Sequence, residues 1–308
     1  MTERNGKIMT TEQLPLAETD ARATGPGLPQ YFDFTQLAPD EISVLGSRTW
    51  LVRAHNIVFA LTDLVAGDTV TREGEPDEHM IVVLGTDQHL EIRSGVTHTA
   101  IGGRSIVIAP SGGTSITAVN AGRVIRLFAL SATDLARRCR NANYYLEGNA
   151  RSVSTQPWPE PAQAGGLHVY RDLDEIPSAP DRLGRIYRNR HAMVNFLYPR
   201  IGPRDPSTLS PHLHEDFEQL SYAESGEYVH HLRHSWGKDR REWRVDEHVR
   251  LGSPSLVIIP PPVIHTSEAV GAGENQLLDV FAGPRVDFSD KPGWVLNAAD
   301  YPAPSADS

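Results

Sequence analysis

Cysteine is almost absent. Cys139 is the single one in 308 residues, which excludes an internal disulfide and any cysteine-rich zinc site. Nothing beside it in sequence would lower its pKa, so it reads as a buried or incidental thiol and not as a nucleophile. Positive charge is also short. Lys plus Arg number 29 against 39 Asp plus Glu, a formal net charge of −10, and such a chain repels a polyphosphate backbone. No run approaches the roughly 18 apolar residues of a membrane span, and the stretch from Met1 to about Gln30 lacks the apolar core of a signal peptide. With 39% hydrophobic and 22% charged residues, disordered, collagenous and coiled-coil classes are excluded too. These absences predict a globular cytoplasmic protein with no nucleic-acid and no membrane partner.

What is present is a succession of short β-rich runs separated by Gly, Pro, Asp and Asn. Trp50 to Val52, Ile57 to Leu61, Met80 to Leu84, Ser105 to Ile108 and Val124 to Ala129 form a first series. Ala192 to Tyr198, Leu220 to Ala223, Tyr228 to Arg233, Leu256 to Ile259 and Leu277 to Phe281 form a second. Strands at this spacing, without helical periods between them, predict an all-β protein of antiparallel barrels or sandwiches. One helix is predicted, Ala132 to Arg140, capped by Ser131 or Thr133 and with basic residues in its last turn. Residues 1–28 carry no apolar period and read as a mobile arm. The Pro-rich then Gly-rich stretch within 146–166 breaks helix and strand alike and reads as a linker. The division expected is therefore a first barrel over 29–145, a second over 167–298 and a tail over 299–308.

Landmarks repeat between the two series. Glu78 precedes Gly85 by the interval that separates Gln219 from Gly226, and Gly102 precedes Pro110 as Gly252 precedes Pro260. Two copies of one β-domain are the economical reading.

The chemistry concentrates in the second copy. His212 and His214 lie two apart, on one face of an extended segment. Gln219 follows five residues after His214, Gly226 comes seven later, and a Pro260-Pro261-Pro262 run sets His265 past a strand end. This pattern resembles the two motifs of the cupin superfamily, H-x-H-x(4)-[E/Q]-x(6)-G and a later P-x-G-x-x-H. The duplication makes the chain similar to a bicupin over roughly residues 40–130 and 185–285. Pro262 stands where the second motif usually has Gly, and Gly252 lies two residues further from the proline than is common. The resemblance implies tandem antiparallel β-barrels of the jelly-roll, double-stranded β-helix type. It further implies that His212, His214, Gln219 and His265 converge on one divalent metal, with Glu218 as the rival fourth ligand. Three imidazoles and one oxygen donor suit Fe, Mn, Ni, Co or Zn. A neutral amide in place of a carboxylate leaves the ion a stronger Lewis acid toward an anionic substrate.

Other residues are candidates for the surrounding site. Either His230 or His231, not both, should enter the barrel as a general base. Arg188, Arg190 and Arg233 are the cations available to hold a substrate carboxylate. Trp236 sits in the long segment from His234 to Trp243, readable as a lid over the barrel mouth or as an oligomer contact. In the first copy the intervals counted from Glu78 put Thr71, Glu73 and Ser115 at the positions of His212, His214 and His265. They also turn His79 outward, so that half should hold no metal. The expected function is metal-dependent isomerisation or lyase chemistry on a small oxygen-rich anion, a keto or sugar acid, through a metal-stabilised enediolate. An Fe(II)- or Ni(II)-dependent dioxygenase and a non-catalytic small-molecule-binding bicupin are the alternatives. A homodimer pairing through exposed sheet edges is the expected assembly.

Overall fold

The computed structural model describes residues 27–148, 152–179 and 181–304. The expected arm lies outside these residues except for its last two, as do part of the linker and the last four residues of the tail. Strands β1 (Gln30–Asp33), β2 (Glu41–Ile42), β3 (Arg48–Arg53), β4 (Ile57–Leu64), β5 (Thr69–Glu75), β6 (His79–Val83), β7 (His89–Ser94), β8 (Thr97–Gly102), β9 (Ser105–Ala109), β10 (Gly112–Ala118) and β11 (Gly122–Ala129) precede helices α1 (Thr133–Arg138) and α2 (Ala142–Leu146). Then come β12 (His168–Tyr170), β13 (Gly184–Arg188), β14 (Met193–Leu197), β15 (Arg200–Ile201), β16 (Gln219–Ser225), β17 (Tyr228–Arg233), β18 (Glu247–Leu251), β19 (Ser255–Ile259), β20 (Ile264–Ala269), β21 (Glu274–Phe281) and α3 (Val286–Ser289). The predicted helix is α1, shorter than expected and without a side-chain cap from Ser131 or Thr133. No helix among the described residues is long and apolar enough to cross a membrane.

Two large antiparallel sheets carry the fold. One has the order β12-β9-β6-β11-β4-β3-β2, the other β1-β19-β16-β21-β14-β13 with β15 beside β21. The orders correspond strand for strand, apart from the added β2 and β15. Each half lends its first strand to the other: β1 pairs with β19, and β12 with β9. The two large sheets meet in a shared core in which Phe59, Met80 and Leu127 pack with Phe196, Tyr222 and Leu256. Their opposite faces are covered by smaller sheets, β5-β10-β7-β8 and β18-β17-β20. Ile81, Val83 and Val124 thus bury against Leu90, Ile92 and Ile116 in the first half, and Val257 and Ile259 against Leu232 and Leu251 in the second. Burial on both faces explains why β4, β6 and β19 read as unbroken apolar runs where a half-solvated strand would alternate.

Side-chain facing corrects the position-by-position repeat. Gln219 pairs with Ile259 and Phe281, and the residue with the matching pairings, Ala109 and Phe128, is His79 and not Glu78. His212 bridges His265, and the matching inward pair is Arg72 and Thr114. Thr71 and Ser115 lie one residue out of phase, and a one-residue slip turns a strand's side chains to the other face. His79, expected to point away, is fully buried and stacks on Phe128 at 5.0 Å.

The shift leaves Glu78 and Glu218 in matching places between the halves. Glu78 Oε1 accepts from the backbone N–H of Arg190 at 2.7 Å, and Glu218 Oε2 from that of His55 at 2.6 Å. Each carboxylate thereby secures the opposite half's hairpin turn, and a tyrosine hydroxyl donates to each, Tyr301 to Glu78 and Tyr145 to Glu218. Burial lifts Glu78 to about 7. A raised carboxyl pKa favours folding below the unfolded value near 4.5, and that contribution is lost as pH rises through about 7. Glu78→Gln, a neutral isostere, should match the wild type at pH 4.5 and exceed it by on the order of 3 kcal/mol above pH 7. Urea melts across this range check it: a wild-type–variant difference that does not change with pH removes Glu78 from the account.

Candidate metal centre

The second half brings together residues that are far apart in sequence. His212 and His265 exchange two backbone hydrogen bonds, His212 N–H to His265 O at 3.0 Å and the reverse at 2.7 Å. That bridge sets the two rings 4.4 Å apart, centre to centre. His214 follows two residues after His212, with its ring 5.1 Å from His212 and 5.3 Å from His265. One ring nitrogen from each of the three lies within 4.8 Å of the others, with His212 exposed and the other two buried. Gln219 opens β16 beneath them. Gly226 ends that strand with φ +87°, and a Cβ there would collide with Asn275, so the glycine of the motif is required by the turn.

Tautomers and hydrogen bonds fit this set to a cation. His212 Nδ1 donates to Ser210 O and His265 Nδ1 to Val263 O, both at 2.9 Å, which leaves Nε2 of each ring as a lone pair. Gln219 Nε2 donates to Ser221 Oγ at 3.0 Å and Asp279 Oδ1 at 3.1 Å. The amide oxygen is thereby turned to the imidazoles, 2.8 Å from His214 Nε2 and 3.3 Å from His265 Nε2. The last contact sets acceptor against acceptor, an opposition that a positive ion between them resolves. Burial pushes His214 down to about 4 and His265 to about 3, so both are neutral at physiological pH, as a ligand must be. Glu218 takes no part. Its carboxylate turns to His55 and Tyr145 on the opposite face of the strand.

A cavity of about 390 Å³ adjoins the triad. His212, Gln219 and His265 form part of its wall, together with Asp279, Tyr228 and Arg285. Three arginines line it, Arg200, Arg204 and Arg285, and none was among the sequence candidates. Arg285 lies over the Phe288 ring at 3.8 Å and Phe281 at 4.7 Å and pairs with Asp287. Arg200 on β15 and Arg204 just after it lie in the segment that leads into His212, so their nearness in sequence to the paired histidines was the available signal. Arg285 had none, because it lies in the turn between β21 and α3, away in sequence from either histidine motif.

The arginines named from sequence have structural partners instead. Arg188 is buried, donates from Nε and Nη2 to Tyr301 O, and stacks on Trp158. Arg190 joins Asp77 and Glu160 between the halves. Arg233 pairs with Asp246 at the surface. Alternation along β17 admits His230 and turns His231 outward, where it meets His248 and Glu268. His230 is buried behind Ser267, which its Nδ1 contacts at 2.9 Å, and does not line the cavity. Burial pushes it down to about 3, a weak base at neutral pH. Trp236 is 67% exposed and stacks on Trp243 at 4.5 Å, away from the triad, so it forms no lid over the cavity. Cys139 is buried under α1, and burial pushes its thiol up to about 12.

A scan against models of protein families and a search of curated proteins found no match. Solved structures do align with most of the chain. The oxalate decarboxylase of Lactobacillus farciminis in its formate complex shares 13% identity at a TM-score of 0.56, over 83% of this chain and 86% of that one. A variant of the Bacillus subtilis oxalate decarboxylase OxdC shares 14% at 0.56, over 87% and 80%. AerE from Microcystis aeruginosa shares 9% at 0.51, over 83% and 97%. At such identities the likeness is one of fold, the antiparallel cupin β-barrel.

Asp279→Ala should free the Gln219 amide to rotate and weaken metal binding roughly 10- to 100-fold without displacing a ligand, read by competition with a chelator. His265→Ala should remove bound metal from the purified protein, by elemental analysis, while the melting transition stays cooperative. A full equivalent of metal in that variant sinks the ligand set.

Proposed function

We propose that the chain is a bicupin enzyme whose second barrel holds one divalent transition metal, Fe, Mn, Ni, Co or Zn, on His212, His214, His265 and Gln219. Its substrate is a small oxygen-rich anion, a keto or sugar acid, on which it performs isomerisation or lyase chemistry. The observation that carries this reading is the joining of two features in one cavity: converging imidazoles and arginines both line it. A divalent ion in that place supplies Lewis acidity toward substrate oxygens.

The remaining roles fall to the chain itself. Arg285, held over the Phe288 and Phe281 rings, offers its N–H groups to a substrate carboxylate. Asp279 replaces His230 and His231 as the acid–base group. It lines the cavity, and burial holds its carboxyl above the usual carboxylate range while Ser221 Oγ donates to it at 2.7 Å. A carboxyl so placed takes a proton from carbon or oxygen and returns it to the neighbouring position. Phe281 and Phe288 on the same wall keep bulk water from the reacting atoms. The solved structures of similar fold include oxalate decarboxylases, so oxalate belongs in the first assays beside keto and sugar acids.

The metal-loaded protein should convert an acid of this class equally well with and without oxygen. Activity confined to aerobic solution selects the dioxygenase reading, and stoichiometric binding without turnover the non-catalytic one. Arg285→Ala should raise KM for the anionic substrate by about tenfold or more while kcat changes less; an unchanged KM removes Arg285 from substrate binding.

A further inference from the structure

The first half carries an inverted charge at the positions where the second half gathers its ligands. Arg72 occupies the place of His212, His79 that of Gln219 and Thr114 that of His265. Arg126 faces Ile81 across the sheet as Asp279 faces Ser221, so a buried carboxylate in one half is matched by a buried guanidinium in the other.

Arg126 is 7% exposed; its guanidinium lies over the Phe128 ring at 5.7 Å, and among the described residues its one hydrogen bond is a 3.4 Å contact from Nη2 to Thr62 Oγ1. Among the described residues its Nε has no hydrogen-bond partner, and neither have Nδ1 and Nε2 of His79 nor Oγ1 of Thr114. Neighbouring cations are matched. Arg72 pairs with Glu75 and with Asp134, each at 2.6 Å, and Arg138 pairs with Glu41. Glu73, exposed at the rim, is the remaining carboxylate on the cavity wall. Among the described residues none forms an ion pair with Arg126. Glu41 and Glu75 act on it through space without pairing with it, and a guanidinium taken out of water without a directly paired carboxylate is costly. Burial lowers Arg126 to about 10, which still leaves it a cation at neutral pH.

Space for the missing partner lies beside it. Arg126 lines a cavity of about 170 Å³ together with Thr71, Arg72, Phe128, Leu135 and Arg138, closed on one side by α1. We propose that the first half binds one small oxyanion, a carboxylate or an inorganic oxyanion, on Arg126 in this cavity, apart from the metal centre. The guanidinium fork supplies paired donors to two oxygens, and the cavity, under half the volume of that in the second half, has room for a small anion.

The full-length protein is titrated with sodium acetate and with sodium sulfate, against sodium chloride at fixed ionic strength, by calorimetry and thermal melting. One acetate or one sulfate should bind per chain and raise Tm beyond the chloride control. Acetate alone assigns a carboxylate site, sulfate alone an inorganic oxyanion site. Arg126→Met should melt no lower than wild type without anion, and its affinity should fall roughly tenfold or more. His265→Ala should keep the full response. Should Arg126→Met fail to fold, Arg126→Lys, which retains charge but not the fork, should fold and bind more weakly. No response to either anion overturns the proposal. So does an undiminished affinity in the folded Arg126 variant, or a loss in His265→Ala.

Discussion

The packing of the two large sheets against each other is the constraint on which the rest depends. Phe59, Phe196 and Tyr222 belong to one cluster drawn from both halves, so each large sheet is buried by the other on one face and by its own small sheet on the second. Strands in that position cannot vary in polarity without disturbing two cores. Chemical variety is therefore pushed to the ends of the strands and to their inward face near the barrel mouths. Gln219, Asp279, His79 and Arg126 all stand there, each on a strand that also contributes to a core.

At those inward positions the two halves have diverged in charge without diverging in backbone. The second has imidazoles with their lone pairs turned inward by backbone carbonyls, an amide locked by Ser221 and Asp279, and a place for positive charge. The first has two guanidinium groups, that of Arg72 paired and that of Arg126 not, and an imidazole with no hydrogen-bond partner among the described residues. The same strand order supports both, which places function in the side chains and not in the topology.

The apolar strands were legible in the sequence because burial on both faces makes continuous runs. The polar strands β5, β8, β10 and β18 alternate exposed and buried positions through Thr, Arg, Gly and His, and they read as loops. The histidine triad was legible because its spacing is local at His212 and His214 and is marked by prolines before His265. Arg285 was not, since it lies in the turn after β21, outside both motifs. Arg188, Arg190 and Arg233 misled because a cation in sequence gives no sign of whether a carboxylate or carbonyl already holds it. The repeat was visible, yet its phase could not be fixed at Glu78. Glutamate there and at position 218 serves the contact between halves, while the inward residue comes one later.

The exchange of β1 and β12 bears on how the chain is made. Synthesis proceeds from the N-terminus, and a domain complete in itself can fold as soon as it leaves the ribosome. Here residues 30–33 have no edge to join until 255–259 have emerged, and the sheet of the first half lacks an outer strand until 168–170 arrive. The apolar surface of that sheet meanwhile waits for a counterpart built from residues as late as Val280. Completion of the first half is therefore deferred until the strands of the second have emerged, and it spends that interval with an open edge and an uncovered face.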